Sequence, residues 1–442
     1  MANSQSMRSV VEILKAAPQP LAVVVSALAG VTDSLSEVCR LAAKHDSSYT
    51  SRLEAIEAQH MTVARDLACT ENGFPALFAG LRDVLRAVFV TSCISVDQLN
   101  FVMGHGELIS AQLLAHAYGS EAEYVDARDF IVIKNSEDRV PKIKWKQSQH
   151  LWDSLHPAHS VLVITGFICR TVDGRMATLK RNGSDLSAAI VAKLAKAEEL
   201  VIWKEVDGVF TADPRIVPGA HLLRDMSFQE LAELSYFGAK VIYPQAMLPA
   251  ISANIPIVLR NTFNPSDPGT HITAQSSSSG PYAKAITVIK GIALINVEGC
   301  GMMGVPGVAK RVFEACSQCD INVMLISQAS SEHSICLAIQ GDQAEVARKA
   351  LKEAFFRELK RHQIEEVEAV LGLSIVAVVG DGMKRKKGVA ATFFRALSDA
   401  DVNIIAIAQG SSERNISVVI QEADVPKALN SAHSLLFPAP QT

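Results

Sequence analysis

The chain has 442 residues, 49% of them hydrophobic and 20% charged, with a net charge of −4 and a pI near 6.3. At ~150 residues per domain this length predicts about three domains, and the composition is that of an ordinary globular protein with ample core. There is no basic excess to suit nucleic acid and no apolar run near the ~20 residues of a membrane span. The N-terminus, Met1-Ala-Asn-Ser-Gln-Ser-Met-Arg, has no signal-peptide h-region.

Leu21–Ser26 reads as a strand entering a small-residue turn, Ser26-Ala-Leu-Ala-Gly30-Val-Thr32, that opens the helix Asp33–Lys44. Ser26 and Thr32 are either caps or hydroxyls for a substrate. Gly104-His-Gly-Glu107-Leu-Ile-Ser110 stands at the start of an apolar helix, Leu108–Tyr118. There Glu107 is either a charge complement to the helix N-terminus or an acceptor for an ammonium group. Glu123–Asp126 and Val161–Gly166 read as strands, and residues 137–150, rich in Lys and Trp, as a solvated excursion.

Thr178-Leu-Lys-Arg181-Asn-Gly-Ser184-Asp185 precedes the helix Ser187–Lys196. Such a loop aims backbone N–H groups and an Arg at an anion, with the helix N-terminus adding to the attraction. Asn-Gly-Ser-Asp is also a good turn and N-cap. The strand Glu199–Lys204 runs into Val206-Asp-Gly-Val-Phe210-Thr-Ala-Asp-Pro-Arg215, at the strand end where ligands bind in open α/β sheets. A Gly followed by an aromatic and an Arg suits a nucleotide base and phosphates, though a plain Asp-Pro loop reads the same way. The helix Phe228–Phe237 and the strand Ile255–Asn261 complete the alternation. Over residues 1–270 it predicts a mostly parallel sheet covered on both faces.

Asn264-Pro-Ser-Asp-Pro-Gly269 and Gln275-Ser-Ser-Ser-Ser-Gly-Pro281 mark a break, placing a linker at 271–284. Beyond it, residues 294–335 and 375–416 are one 42-residue segment written twice at an offset of 81, with eighteen identities. A unit of that length is a domain copied in tandem rather than a solenoid. Each copy reads strand (Ile292–Val297, Ser374–Val379), helix (Val308–Cys319, Val389–Ala400), strand (Asn322–Ser327, Asn403–Ala408) and strand (Ser334–Ile339, Ile416–Gln421). A second helix, Glu345–Lys360, closes the first copy in the ferredoxin-like order. The eight cysteines lie among small and apolar neighbours and read as reduced, buried thiols of a cytosolic protein. Cys316-x-x-Cys319 lacks a second Cys/His pair for a zinc site.

In this order and spacing, Ser26–Thr32, Gly106-Glu107, Gly166-Phe167, Arg181–Asp185, Val206–Arg215, Leu234–Lys240 and both Gln-x-Ser-Ser-Glu segments resemble aspartate kinase. The resemblance covers nearly the whole chain and is closest to the kinase half of the bifunctional aspartate kinase/homoserine dehydrogenases. It implies an α/β fold: an amino-acid-kinase-like open, mostly parallel sheet with helices on both faces over 1–270. Two ferredoxin-like ACT domains would follow, over 285–365 and 366–442. It implies transfer of phosphate from ATP, with Mg, to the side-chain carboxylate of L-aspartate. Arg181 would then pair with a carboxylate of aspartate and Glu107 would face its amino group. Ser26, Thr32 and Ser184 would complete the pocket, and Asp185 would organise the transfer. Lys204, Glu205, Phe210, Arg215 and Lys240 would lie at the nucleotide. Gln328 and Gln409 would sense an amino-acid effector, threonine rather than lysine, and the ACT domains would assemble at least a dimer.

The chain departs from the family at several points. The Lys-Phe-Gly-Gly-Thr-Ser that closes the family's first strand, and that strand with it, do not occur in these 442 residues. Lys180 stands where Gly is usual, Lys204-Glu205 where Thr-Asp is usual, and Tyr243 where His precedes Pro244. No strand-turn-helix unit of the dinucleotide-binding type is read in the chain, so no dehydrogenase activity is expected. A second reading is therefore a catalytically impaired relative, acting as an amino-acid-binding regulatory or vestigial subunit.

Overall fold

Val161-Leu-Val-Ile-Thr165 is buried at every position, the mark of a parallel strand covered on both faces. The first half of the chain is organised around it. The structure, a computed structural model, describes the chain apart from residues 70–72, 139, 239–241, 276–281, 329–332 and 438–442. It divides into two units, 1–205 with 243–267 and 206–242 with 268–442. The first unit runs α1 (Ser4–Ala16), β1 (Leu21–Val25), α2 (Val31–Ala43), α3 (Ser48–Asp66), α4 (Phe74–Thr91), α5 (Val96–Tyr118), β2 (Ala122–Val125), β3 (Val132–Ile133), α6 (Trp145–Asp153), β4 (Val161–Thr165), β5 (Ile168–Thr171), β6 (Met176–Thr178), α7 (Gly183–Ala195) and β7 (Leu200–Lys204). The chain then supplies β8 (Asp225–Ser227) and α8 (Phe228–Tyr236) to the second unit. It returns to the first with α9 (Pro244–Ser252) and β9 (Ile257–Asn261).

β4 lies between β1 and β2, all parallel, with Val25 opposite Thr165 and Val125 opposite Ile164. Its alternate side chains enter two cores. Val161 and Val163 pack with Val11 of α1 and Ala111 and Leu114 of α5, while Leu162 and Ile164 pack with Ile190, Val191 and Leu194 of α7. That period of two puts α5 and α7 on opposite faces of the sheet. β7 and β9 pair in parallel. Two details differ from the sequence reading. The helix expected from Leu108 begins at Val96, because Ser95 and Gln98 form a capping box there. The excursion at 137–150 contains the start of α6, whose Trp152 meets the buried Phe130 edge-on at 5.0 Å between ring centroids.

In the second unit β10 (Thr270–Thr273) pairs in parallel with β8, so the stretch read as a linker begins inside a strand. There follow β11 (Ala285–Glu298), α10 (Val308–Gln318), β12 (Leu325–Gln328), β13 (Ser334–Gln340), α11 (Ala344–Ala354), α12 (Phe356–Lys360), β14 (Glu366–Val379), α13 (Val389–Asp399), β15 (Ala406–Ala408), β16 (Asn415–Gln421) and α14 (Val425–Leu436). The sheet order β12-β13-β11-β14-β16-β15 is symmetric about the antiparallel pair β11·β14. Both long strands carry a left-handed glycine at equivalent positions, Gly291 (φ +69°) and Gly372 (φ +73°), where the pairing register shifts. Such bulges bend strands, and the outermost strands β12 and β15 touch each other.

The long strands are shared between the repeats. Ile286, at the start of β11, packs in the core of the second repeat with Val376, Phe393 and Leu397. Val367, at the start of β14, packs in the core of the first with Ile295 and Leu351. The division at 365/366 that separates the copies in sequence thus does not separate their cores. Cys316 lies in the first of these cores, where burial pushes its thiol pKa up, but the expectation of eight buried thiols is corrected: Cys93 and Cys300 are exposed. No helix among the described residues is long and apolar enough to cross a membrane.

α8 is fastened to the second repeat by a fully buried carboxylate. Ser227 caps the helix, and Glu230 accepts the N–H of Ser227 and the N–H of Asp381, each at 2.8 Å. The Ser227 hydroxyl donates to Asp381, whose other oxygen accepts Arg414 Nε at 2.5 Å. Glu230→Ala leaves two buried N–H groups without acceptors, at about 1–3 kcal/mol each. We expect the urea midpoint of this unit to fall accordingly, while an exposed control such as Glu353→Ala leaves it within about 0.5 kcal/mol.

Candidate active site at the strand ends of the first unit

The C-terminal ends of β1 and β4 meet the N-terminus of α7 and the middle of α5. Gly106 lets α5 approach the turn after β1: a Cβ there would lie 2.7 Å from the Cβ of Ala27 and 3.0 Å from Val31 Cγ1. One turn further on, the Ser110 hydroxyl donates to the Ser26 carbonyl at 2.8 Å. Between them Glu107 is 2% exposed. The Ala27 backbone gives it a hydrogen bond, but Oε2 has no partner among the described residues. Burial pushes its pKa up to about 8, with the Ala27 hydrogen bond opposing the shift.

The expectation that Glu107 precedes its helix is corrected: it sits mid-helix, beyond reach of the N-terminal turn that Ser95 caps. A charge complement to that terminus is excluded, because the dipole effect fades within the first turn. A buried carboxylate oxygen without a donor is costly, and a cation in the adjoining turn would relieve it.

Across the same strand ends, the Gly166 N–H donates to the Val25 carbonyl at 2.8 Å. Ser184 packs directly over Gly166, where a Cβ would come within 2.8 Å of Ser184 Oγ. Asn182 is the N-cap residue of α7; it is left-handed (φ +54°) and its side chain makes no cap. The N–H groups of the first turn of α7 therefore receive no side-chain cap from Asn182. Arg181 is exposed and has no ion pair among the described residues. Asp185 takes Lys204 Nζ on both carboxylate oxygens at 3.0 Å. Lys204 ends β7, its carbonyl accepting Thr262 N–H at 2.9 Å, with Glu205 exposed beside it. Thr32 is half-buried in the first turn of α2, which the left-handed Gly30 opens. Lys180, also left-handed (φ +63°), donates Nζ to the Ser136 carbonyl at 2.7 Å.

The remaining sequence-derived residues lie elsewhere. Phe210 and Arg215 belong to the second unit. Phe210 is half-buried and bridges to Leu222. The exposed Arg215 forks onto Asp213 at 2.8 and 3.0 Å, which raises its own pKa and lowers that of Asp213. Lys240 lies outside the described residues. Gln328 ends β12 and Gln409 directly follows β15, both exposed; residues 329–332 of the first Gln-x-Ser-Ser-Glu are outside the described set. Sequence reasoning missed Ser110 and the Ala27 backbone. The helical spacing of Ser110 from Glu107 signals the former only once the helix is begun at Ser95. Among the described residues no cluster of three His, Cys, Asp or Glu could hold a metal. Asp185 offers a single carboxylate, which suits Mg carried on nucleotide phosphates rather than a resident ion.

The amino acid kinase family matches residues 1–261, and the ACT domain family matches 295–355 and 376–436. The chain is 40% identical over 454 aligned residues to a chloroplastic bifunctional aspartokinase/homoserine dehydrogenase 2 of Arabidopsis thaliana, covering 98% of this chain and 49% of that protein. It is 31% identical to an aspartokinase of Candida albicans, covering 94% of this chain and 84% of that one. Escherichia coli aspartokinase III, solved with aspartate and ADP, superposes with a TM-score of 0.79 at 25% identity, over 99% of this chain and 97% of that one. The same enzyme has been solved with lysine and aspartate. The chain spans about half the length of the bifunctional relatives. It has the amino acid kinase fold followed by ACT domains, and belongs to the aspartokinase family.

Glu107 makes stability depend on pH. A carboxyl whose folded pKa is raised contributes stability below its unfolded value, near 4.5, and loses it as pH rises toward about 8. Without ligand, the wild type should lose a few kcal/mol relative to Glu107→Gln between those limits, with the difference flat above. Denaturant midpoints of the two proteins across that range measure it.

Proposed function

We propose that the chain phosphorylates the side-chain carboxylate of L-aspartate with MgATP, yielding 4-phospho-L-aspartate and ADP, the first step toward lysine, threonine and methionine. The observation that carries this is the buried Glu107, with one oxygen lacking a donor, beside the Ser26 turn. A substrate ammonium in that turn supplies the missing donor and ionises the carboxylate. The unpaired Arg181 guanidinium takes a substrate carboxylate in fork geometry. The hydroxyls of Ser26, Thr32 and Ser184 fill the space between.

A carboxylate oxygen of aspartate then attacks the γ-phosphorus as the bond to the β-phosphate oxygen breaks. Catalysis of this kind is mostly positioning and charge stabilisation. The N–H groups at the start of α7 and the Lys204 ammonium would stabilise the charge that gathers on the transferring oxygens. Asp185 holds Lys204 and orients it. Arg215, Phe210, Glu205 and Lys240 are assigned to the nucleotide. The complex of the Escherichia coli relative with aspartate and ADP supports this pairing of substrates. The two repeats are read as the amino-acid sensor, with threonine at Gln328 and Gln409, and as the site of assembly into at least a dimer. A cytoplasmic setting accompanies this reading.

Hydroxylamine trapping of the acyl phosphate tests the reaction. The folded chain with MgATP and aspartate should form hydroxamate, and threonine should suppress it. Arg181→Ala should raise the KM for aspartate about 10- to 100-fold, the size of a lost charge-assisted pair. No hydroxamate from the folded wild type overturns the catalytic reading and leaves an amino-acid-binding subunit. Aspartate binding should also release up to one proton from Glu107 between pH ~6 and ~8, seen calorimetrically in buffers of different ionisation enthalpy and absent in Glu107→Gln.

A further inference from the structure

Lys180 holds a backbone conformation that side chains rarely adopt, φ +63°, immediately before Arg181. Left-handed non-glycine residues persist only where their surroundings over-determine them, and they concentrate at functional sites. Here the surroundings are specific. Nζ of Lys180 donates to the Ser136 carbonyl at 2.7 Å. Ser136 is itself 4% exposed, and its hydroxyl donates to Asp97 Oδ1 at 3.2 Å, near the start of α5. Asp97 is further paired with Arg175, just ahead of β6. A chain of contacts thus runs from α5 through the segment after β3 to Lys180. On its far side Arg181 has no ion pair among the described residues and Asn182 is again left-handed.

We propose that Lys180 is a positioning residue for Arg181. Its tie to Ser136 holds the loop in the strained conformation that keeps the neighbouring guanidinium unpaired and directed at a substrate carboxylate. The ammonium is spent on the loop rather than on phosphate. This rests on the assignment of Arg181 to an aspartate carboxylate.

Three variants test it. Lys180→Met keeps the stem and removes the donor. Lys180→Gly suits the left-handed backbone and removes the donor. Lys180→Arg restores a donor. Affinity for aspartate is measured by calorimetry on the full chain, alongside KM and kcat where the chain turns over. The Met and Gly variants should bind aspartate about 10-fold more weakly, with the KM for ATP and kcat within about twofold of wild type. The Arg variant should return most of that affinity. Amide exchange at residues 132–138 should quicken in the Met and Gly variants alone. Unchanged aspartate affinity in both Met and Gly overturns the proposal, as does an equal loss in all three. A wild-type chain that binds no aspartate overturns the Arg181 assignment and this proposal with it. Binding without turnover removes only the catalytic reading and leaves the affinity comparison decisive.

Discussion

Glu107 lies inside a 23-residue helix, accepting a hydrogen bond from the Ala27 backbone while its Oε2 has no donor among the described residues. Its surroundings must keep that imbalance from collapsing. A flexible site would let water in or let the side chain turn out, and either would discharge the tension. Instead the carboxylate is carried on a helix that shares one face of the sheet with α1, held close to the β1 turn by Gly106, and braced by Ser110. Rigid elements hold functional groups more closely than loops do. The result is a carboxyl that burial biases toward its neutral form.

The opposite polarity is gathered on the other face. There α7 presents the N–H groups of its first turn, Arg181 and the Lys204–Asp185 pair near the same strand ends. A buried carboxylate and a group of cationic side chains are thus carried by helices on the two faces of one sheet. The parallel arrangement of β1, β4 and β2 makes this possible, because all three strands deliver their C-terminal ends to the same edge.

What could be read from the chain before its structure follows from which interactions are local. β1, β4, β7 and β9 are compact apolar runs and were legible as such. The duplication was legible because equal spacing survives drift in the side chains. The start of α5 was not, because Gly104 and Gly106 look like a turn when only their neighbours are considered. Their role is to admit Met176 and Ile168 at one position and Ala27 and Val31 at the other, partners far away in sequence. The exchange of strand halves between the repeats was equally hidden, since Ala285–Ile289 reads the same whichever core receives it. Among the residues proposed for the site, Ser26, Glu107 and Ser184 could be singled out from their motifs alone. The bond from Lys204 to Asp185 and that from Lys180 to Ser136 were not, because each joins segments whose proximity only the folded sheet creates.

The shared long strands carry a consequence for how such a chain can change over generations. Ile286 belongs to the core of the second repeat although it precedes the first, and Val367 belongs to the core of the first although it opens the second. A gene broken between the copies yields two fragments that each lack a strand, with an open sheet edge where it belonged. Neither copy can be deleted, transplanted or replaced singly without damaging the one left behind. The pair is inherited as one folding unit, free to diverge in its surface loops but bound to keep its two halves together.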